Sequence, residues 1–218
     1  NFELAPFSQF TSSMGYRVDG RTNGSATMKA VLGAGEVQAD IVVDSISIND
    51  LAVPSIWLRS RWDFIQNRAG ILVQQRENLD TLVRGFYAPS QKRYYARATL
   101  DAVELSALDP LLKGVVERTG GNADIDIALR GSGKEANLSG QIAVRDFTTT
   151  VDFTQVTYTM PRTVIEVKNN HLIAEGVPLY DPEKNDGLFS IDLNLEHLSN
   201  ISYSVKVLPK ELMVLNTT

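Results

Sequence analysis

The sequence contains no cysteine and only two histidines among its 218 residues. The lack of cysteine excludes a disulfide framework, a thiolate nucleophile and a cysteine-ligated zinc site. His171 and His197 lie far apart and neither has a neighbouring acidic cluster, so we interpret both as strand or turn residues rather than as ligands. No Ser/His/Asp set has a recognisable local motif. We therefore expect no enzyme activity, no metal and no cofactor.

Long hydrophobic runs and an excess of positive charge are also lacking. No segment approaches the roughly 18 apolar residues that cross a bilayer as a helix, and the opening "NFELAPF" has no signal-peptide pattern. The net charge of −5 gives the chain no excess of positive charge of the kind that binds nucleic acid. We expect Asn1 to be an internal position of a longer protein, with any targeting or anchoring segment outside this sequence.

Alternation of apolar and polar residues is the dominant pattern in the chain. In "ADIDIALRG", Ile125, Ile127 and Leu129 alternate with polar residues, which is typical of a half-buried strand. Similar runs, such as "NLSGQIAVRDF", "LFSIDLNLEHL" and "ISYSVKVL", recur about every 8–12 residues between Gly, Asn, Asp and Pro. The pattern predicts a mostly β fold.

Two segments have helical spacing instead. In "SALDPLLKGVVERTGG", leucines and valines recur at helical intervals, Asp109 and Pro110 suit the first helical turn, and Gly120 and Gly121 suit its end. We predict a short helix over Ala107–Thr119. A weaker pattern in "PFSQFTSSM" predicts another near Phe7–Met14, although its serines and threonine are poor helix formers.

A possible repeat relates the two halves of the chain. "RTNG" at Arg21–Gly24 and "RTGG" at Arg118–Gly121 are 118 − 21 = 97 residues apart, and at that offset the apolar positions of the strands that follow coincide. We predict two diverged copies of one unit, over residues 1–102 and 103–218. Stacked units of this kind build one continuous sheet in longer arrays.

The second half resembles a known family. "LDPLLKGVVERTGGNADIDIALRGSGKEANLSGQIAVRDF" and the closing "GLFSIDLNLEHLSNISYSVKVLPKELMVLNTT" are similar to the C-terminal region of TamB-like members of the AsmA-like family of bacterial envelope proteins. The resemblance covers Val103 to Asn216. The first half is similar only as a degraded copy, with "VQADIVV" where the family has a clear L-S-G.

The resemblance implies a fold, a place and a function. The fold is an elongated, twisted, curved β-sheet that forms an open groove with an apolar concave face. The place is the periplasm, where an N-terminal helix outside this sequence anchors the protein in the inner membrane. The function is transfer of phospholipid between the inner and outer membranes, and an outer-membrane barrel of the Omp85 type is the implied protein partner.

The residues independently favour an apolar groove. An apolar sheet face is covered either by a second sheet or helix of the same chain or by something outside the chain, such as acyl tails. One helix for each roughly 97 residues is too little to cover it, so an apolar trough remains if the sheet does not fold over itself completely. A residue set on alternating positions is predicted to line this face: Ile125, Ile127, Leu129, Ile142, Val144, Phe189, Ile191, Leu193 and Leu195. The alternative is a chaperone or interaction scaffold in outer-membrane protein translocation and assembly, in which an exposed sheet edge templates strands of its clients.

Two polar motifs allow a functional and a plainer interpretation. In "WLRSRW", Trp57, Arg59 and Arg61 share one face of a strand, where the arginines either bind phosphate headgroups or an acidic partner, or extend from an exposed face beside an aromatic ring. We favour the second interpretation. "GSGKEA" at Gly131–Ala136 is similar to the end of a P-loop, but Glu135 replaces the Ser/Thr that holds magnesium, so we predict a turn between strands.

Overall fold

β-strands account for nearly all the regular structure of this chain. The computed structural model describes residues 2–3, 17–31, 34–48, 51–110, 112–133, 135–196 and 202–213. The described residues contain no α-helix and only two 3₁₀ turns, Pro89–Gln91 and Leu105–Leu108. The prediction of a mostly β fold is therefore confirmed.

Fifteen strands lie in the described ranges, and two of them reach 17 residues. They are β1 (Phe2–Glu3), β2 (Val18–Val31), β3 (Ala34–Ile48), β4 (Leu51–Val53), β5 (Ile56–Asp63), β6 (Arg68–Gln75), β7 (Thr81–Ala88), β8 (Arg93–Glu104), β9 (Val116–Ser132), β10 (Glu135–Val151), β11 (Val156–Met160), β12 (Thr163–Lys168), β13 (His171–Tyr180), β14 (Asp186–Asn194) and β15 (Ser202–Pro209).

The chain divides into two structural units. Unit 1 contains Asn1–Thr99 and Ala128–Ala136, and unit 2 contains Leu100–Ile127 and Asn137–Thr218. The predicted boundary after residue 102 lies close to the change of unit after Thr99, but the segment around the β9–β10 turn belongs to the first unit. That the two units are diverged copies stays a prediction.

Unit 1 is an antiparallel meander in which strands β2, β3, β5, β6, β7 and β8 pair in that order. The short strands β1 and β4 pair with β2 and β3. Asn67, Leu79 and Lys92 adopt positive φ angles in the turns after β5, β6 and β7. These left-handed residues reverse the chain, and each reversal places consecutive strands side by side.

Unit 2 is also antiparallel. β10 pairs with β9, with β11 and with β12, and the order then continues through β13, β14 and β15. Both β11 and β12 pair with β13 as well, so two short strands together lie along the part of β10 from Gly140 to Val151. The main hydrophobic cluster of this unit lies on β9, β10 and β12, beneath the 3₁₀ turn Leu105–Leu108. It contains Leu105, Ala123, Ile125, Ile142, Val144, Phe147 and Ile165.

The predicted helix over Ala107–Thr119 is wrong. Among the described residues between β8 and β9, the structure has only the 3₁₀ turn and a few turn hydrogen bonds. β9 begins at Val116 and contains both Gly120 and Gly121. Gly121 has φ +101°, and a Cβ there would meet the backbone of Arg145 on β10. The glycines therefore permit close strand approach rather than ending a helix. The helix predicted near Phe7–Met14 lies outside the described residues.

Candidate functional site

Register divides the strands of unit 2 into an apolar and a polar face, because directly opposed residues point to the same side of a sheet. Ile142 opposes Ile165, Val167 opposes Leu172, Ala174 opposes Ile191 and Ile191 opposes Val205. Alternate positions along each strand place further apolar residues on this face. Its members on β12 to β15 are Ile165, Val167, Leu172, Ala174, Val177, Leu179, Phe189, Ile191, Leu193, Tyr203, Val205 and Val207.

The opposite face of unit 2 carries charge. Asp124 and Arg145 form an ion pair there, with 2.5 Å between Oδ1 and Nη2, and His171 contacts Asp192 through Nδ1 and Oδ1 at 2.7 Å. His171 is therefore the first residue of β13 on the charged face, while His197 lies outside the described residues. This face has the character of a solvated surface.

Two bulges keep the apolar residues on one side. Register shifts between Ala174 and Val177, where the backbone N–H of Gly176 donates to the Ser190 hydroxyl at 3.0 Å. On β10, Asp146 adopts φ +51°, and both Val144 and Phe147 join the same hydrophobic cluster. An extra residue inverts strict alternation, so each bulge restores an apolar side chain to its face.

Two segments cover parts of the apolar face. Leu105 from the 3₁₀ turn packs against Ala123 and Val144. Leu212, which follows β15, is 7% exposed, and its side chain occupies the space that a Cβ on Gly187 would fill. Leu105 and Leu212 account for only part of the cover, because Val167 on β12 and Val177 on β13 are also nearly fully buried.

Hydrogen bonds fasten the segment that carries Leu212. The buried carboxylate of Asp181 accepts from the backbone N–H of Met213 at 2.8 Å, and from Glu183 and Asn185 in its own turn. The hydroxyl of Tyr158 donates to the Met213 carbonyl at 2.8 Å. We name residues Lys210–Met213 the covering segment.

The pKa shifts at this anchor follow from burial and hydrogen bonding. Partial burial alone raises the pKa of Asp181, but the hydrogen bonds from Met213, Asn185 and Glu183 stabilise the charged form more, so the pKa lies below its ordinary value. Burial raises the pKa of Tyr158. Its phenol therefore stays protonated and able to donate.

The exposed part of the apolar face lies on β15, next to half-buried residues of β14. Buried residues lie on β12 and β13, where Val167 is 3% exposed and Val177 is 7% exposed. Toward the edge of the sheet the exposed fraction is larger, at 51% for Val205 and 74% for Tyr203. An exposed apolar surface continuous with a buried core is typical of a binding surface.

Unit 1 has the same division into faces. Its apolar side includes Ile41, Leu58, Trp62 and Val73, which oppose one another or alternate along β3, β5 and β6. Its other side carries Trp57, Arg59 and Arg61 together on β5, as predicted, along with further arginines. In the sequence echo, Ala26 and Met28 on β2 lie on the apolar side, as Ala123 and Ile125 do in unit 2.

The nine predicted lining residues occupy four locations. Ile125, Ile142 and Val144 belong to the hydrophobic cluster, and Ile127 follows Ile125 by alternation. Phe189, Ile191 and Leu193 lie on β14, on the same face as Ile142 by register. Leu129 belongs to unit 1, and Leu195 lies beyond β14, where its N–H donates to the carbonyl of Asn170. Lipid contact at any of these residues stays a prediction.

The predicted lining set does not include the exposed residues of the apolar face on β15, which are Tyr203, Val205 and Val207. Their alternation in "SYSVKVLP" is a signal that places them on one face. Nothing in the sequence around Leu212 marks it as a cover, since its burial depends on the Asp181 anchor. The turn at Gly131–Ala136 connects β9 and β10, as predicted for "GSGKEA", with Gly133 at φ +63°.

In the ranges that the structure describes, no group of three or more His, Asp or Glu residues is placed to hold a metal ion. No helix in those ranges is long and apolar enough to cross a membrane. Comparison of the chain with models of protein families, with curated proteins and with solved structures gives no match.

Proposed function

We propose that this chain is a segment of a periplasmic protein that conducts phospholipid between the inner and outer membranes, with the acyl chains on apolar sheet faces. The observation that carries the proposal is the register of unit 2, which aligns apolar residues across β10, β12, β13, β14 and β15 and leaves those of β15 exposed. The periplasm and the two membranes come from the family resemblance of residues 103–216.

An acyl chain suits this face on energetic grounds. Each methylene that leaves water gains about 0.8 kcal/mol, and the gain needs no directional contact. The side chains of Phe189, Ile191 and Leu193 offer only carbon to such a ligand. Because no hydrogen bond fixes the position of the chain, movement along the face breaks no specific interaction.

Photo-crosslinking in cells tests the proposal. A photo-reactive residue at Ile127 or Leu193, on the apolar face, should yield phospholipid adducts. Asp126 and Asp192 are the matched controls, because each is the sequence neighbour of a test position and points to the opposite face. Adducts at the control positions without adducts at Ile127 and Leu193 would overturn the proposal.

The edge of β15 favours a second function, that of a chaperone or interaction scaffold. Every residue of β15 is exposed, and among the described strands β15 pairs only with β14. An unpaired edge is a template for a strand of another protein, such as an outer-membrane protein or a barrel partner. Lys206 and Pro209 lie on this strand and oppose nonspecific pairing.

A photo-reactive residue at Lys206 separates the two functions. Lys206 opposes Ser190 on the polar face, away from the apolar surface. Protein adducts at Lys206 would support strand pairing, and lipid adducts at Leu193 support conduction. Absence of protein adducts at Lys206, with lipid adducts at Leu193, excludes the scaffold function for this edge.

A further inference from the structure

The polar face of unit 1 concentrates arginine. On β5 to β8, register and alternation place six arginines on this face: Arg59, Arg61, Arg68, Arg84, Arg93 and Arg97. The residues of these strands that belong to unit 1 carry one carboxylate on this face, Asp63. Six positive charges and one negative charge leave 6 − 1 = +5, although the whole chain has a net charge of −5.

Few of these charges are neutralised at the centre of the face. Arg61 forms an ion pair with Glu36 of β3, with 2.7 Å between Nη2 and Oε2. The Asp63 carboxylate instead accepts from the backbone of Ile65 and Gln66 in the turn after β5. Within the described ranges, neither Arg59 nor Arg68 has a carboxylate at ion-pair distance.

Each of the two arginines that lack a carboxylate partner contacts an aromatic ring. The guanidinium of Arg59 lies 4.4 Å from the ring centre of Trp57, and that of Arg68 lies 3.9 Å from the ring centre of Phe86. The Nη2 of Arg59 donates to Gln74, while its Nε is buried and has no partner in the described structure. A guanidinium whose flat face contacts an aromatic ring still has the N–H groups at its edge available to donate hydrogen bonds to oxygen atoms.

A glycine opens space between these arginines. Gly70 opposes both Arg61 and Phe86, and a Cβ added to Gly70 would meet nothing closer than the Arg61 carbonyl oxygen at 3.9 Å. A depression of about 320 Å³ lies here, bordered by Arg59, Arg61 and Gly70. A neighbouring depression shares Arg61 and Gly70 and adds Arg68 and Phe86. The glycine thus leaves room for a ligand between three guanidinium groups.

We propose that these two adjoining depressions form one site that binds a phosphate ester. We call this site the depression. A phosphate presents several oxygens to different guanidinium groups at once, and Arg–phosphate hydrogen bonds are charge-assisted and frequently bidentate. Three arginines against Glu36 and Asp63 leave a local charge of 3 − 2 = +1, within a wider face of the same sign. The ester is either a soluble phosphate ester or the headgroup of an anionic phospholipid at a bilayer surface.

The site is separate from the acyl-chain function. It lies on the polar side of β5 and β6, whereas the proposed acyl chains contact the apolar side. A single layer of backbone lies between the two sides, so a ligand on one side does not contact a ligand on the other. Loss of phosphate binding would leave the acyl-chain proposal untouched.

The test uses the full chain with two probes. Titration calorimetry with sn-glycerol 3-phosphate, with glycerol as the uncharged control, measures binding of a soluble ester. Co-sedimentation with phosphatidylglycerol vesicles, compared with phosphatidylcholine vesicles, measures binding of a headgroup. Binding in the first assay assigns the site to soluble esters, and binding only to phosphatidylglycerol vesicles assigns it to a membrane surface.

Variants decide whether the depression is responsible. Arg59→Gln/Arg68→Gln and, separately, Gly70→Leu should each weaken binding at least tenfold. The first removes the guanidinium groups, and the second fills the depression while keeping every charge. The matched control Arg76→Gln/Lys92→Gln removes the same charge outside the depression and should change affinity less than twofold. No binding of either probe, or an equal loss in the control double variant, would overturn the proposal.

Discussion

At the scale of single residues, Asp181 holds the covering segment of unit 2 in place. Its carboxylate accepts hydrogen bonds from Glu183, Asn185 and Met213, and it is only 3% exposed. Of these contacts, the one to Met213 connects the turn after β13 to the chain end that carries Leu212. Asp181 therefore links a local turn to the cover of the apolar face.

The stability that Asp181 provides should depend on pH. Its pKa in the folded state lies below the ordinary value of 3.8, so the folded protein binds the proton more weakly than the unfolded chain does. The contribution is fully present above the unfolded pKa and is lost as the pH falls through the folded pKa. Asp181→Ala should lower the urea midpoint by a constant amount from pH 7 to about pH 5, and the difference should shrink below pH 3.8.

Glu183→Ala is the control for this prediction. Glu183 contributes only its backbone N–H to the Asp181 carboxylate, and its side chain is exposed. Its urea midpoint should follow the wild type at every pH. A difference between Asp181→Ala and wild type that persists unchanged at pH 2 would contradict the assigned role of the charge.

Gly140 on β10 lies close to the backbone of β9. It adopts φ +145°, and an added Cβ would overlap the backbone of Asp126 and Ile127. Gly140→Ala should lower the free energy of unfolding by about 2 kcal/mol, because it adds both a clash and backbone strain. Gly70→Ala, where the space is open, should stay within about 0.5 kcal/mol of wild type in the same denaturation experiment. Equal effects of the two substitutions would disprove the close approach.

At the scale of elements, alternation predicted the strands well and helical spacing failed once. "ADIDIALRG" and "LFSIDLN" form strands because their period of two matches the pleat. "DPLLKGVVERTGG" has helical spacing over only three turns, with Gly114 and the β-branched pair Val115–Val116 inside it. Pairing of a 17-residue strand satisfies more backbone groups than a short helix of poor propensity.

Alternation in the sequence predicted the apolar face of the candidate site, but the sequence did not predict the covering segment. Ile142 and Ile191 share a face through three successive strand pairings, and the bulge between Ala174 and Val177 is needed to keep that face apolar. A single sequence carries no marker of such an extra residue. The covering segment depends on the contact between Asp181 and Met213, which are 32 residues apart. Contacts over such distances arise from tertiary packing rather than local pattern.

Asp109 supports the start of β9 instead of capping a helix. Its Oδ1 accepts from the backbone N–H of Thr119 at 2.9 Å, ten residues further along the chain. Asp109→Ala should cost about 1 kcal/mol of stability and should speed hydrogen exchange at the Thr119 amide. Asp101→Ala, on exposed β8, is the control. Unchanged exchange at Thr119, with faster exchange at residues 111 and 112, would instead indicate a helix cap.

Substitution of Leu212 tests how much the covering segment contributes to the stability of unit 2. Because its side chain is buried against Gly187, Leu212→Ala should lower the free energy of unfolding by about 2–4 kcal/mol. Leu208 is 48% exposed on the polar face of β15, so Leu208→Ala should cost less than about 1 kcal/mol. Urea denaturation of the two variants gives the comparison. A larger loss for Leu208 would mean that the covering segment is not packed as described.

At the scale of the whole molecule, each unit separates apolar from charged side chains across a single sheet layer. In unit 2 the apolar side is partly covered by Leu105 and Leu212 and is exposed on β15. In unit 1 the opposite side carries the arginines, and Trp62 lies on the apolar side. A solvated polar face and a partly exposed apolar face together favour a protein whose partner is itself apolar.

The two tryptophans of the chain report on the two sides of unit 1. Trp57 and Trp62 both lie on β5, but alternation and register place Trp62 on the apolar side and Trp57 beside Arg59 on the polar side. Trp57→Phe leaves Trp62 as the only tryptophan, and Trp62→Phe leaves Trp57. The pair therefore distinguishes the two sides with one conservative substitution each.

Fluorescence quenching by a brominated, uncharged monoacylglycerol tests the central claim most directly, because this ligand offers an acyl chain and no phosphate for the arginines. The account predicts saturable quenching of Trp62 in Trp57→Phe and little quenching of Trp57 in Trp62→Phe. Equal quenching of the two tryptophans, or stronger quenching of Trp57, would contradict the claim that acyl chains lie on the apolar side of the sheet.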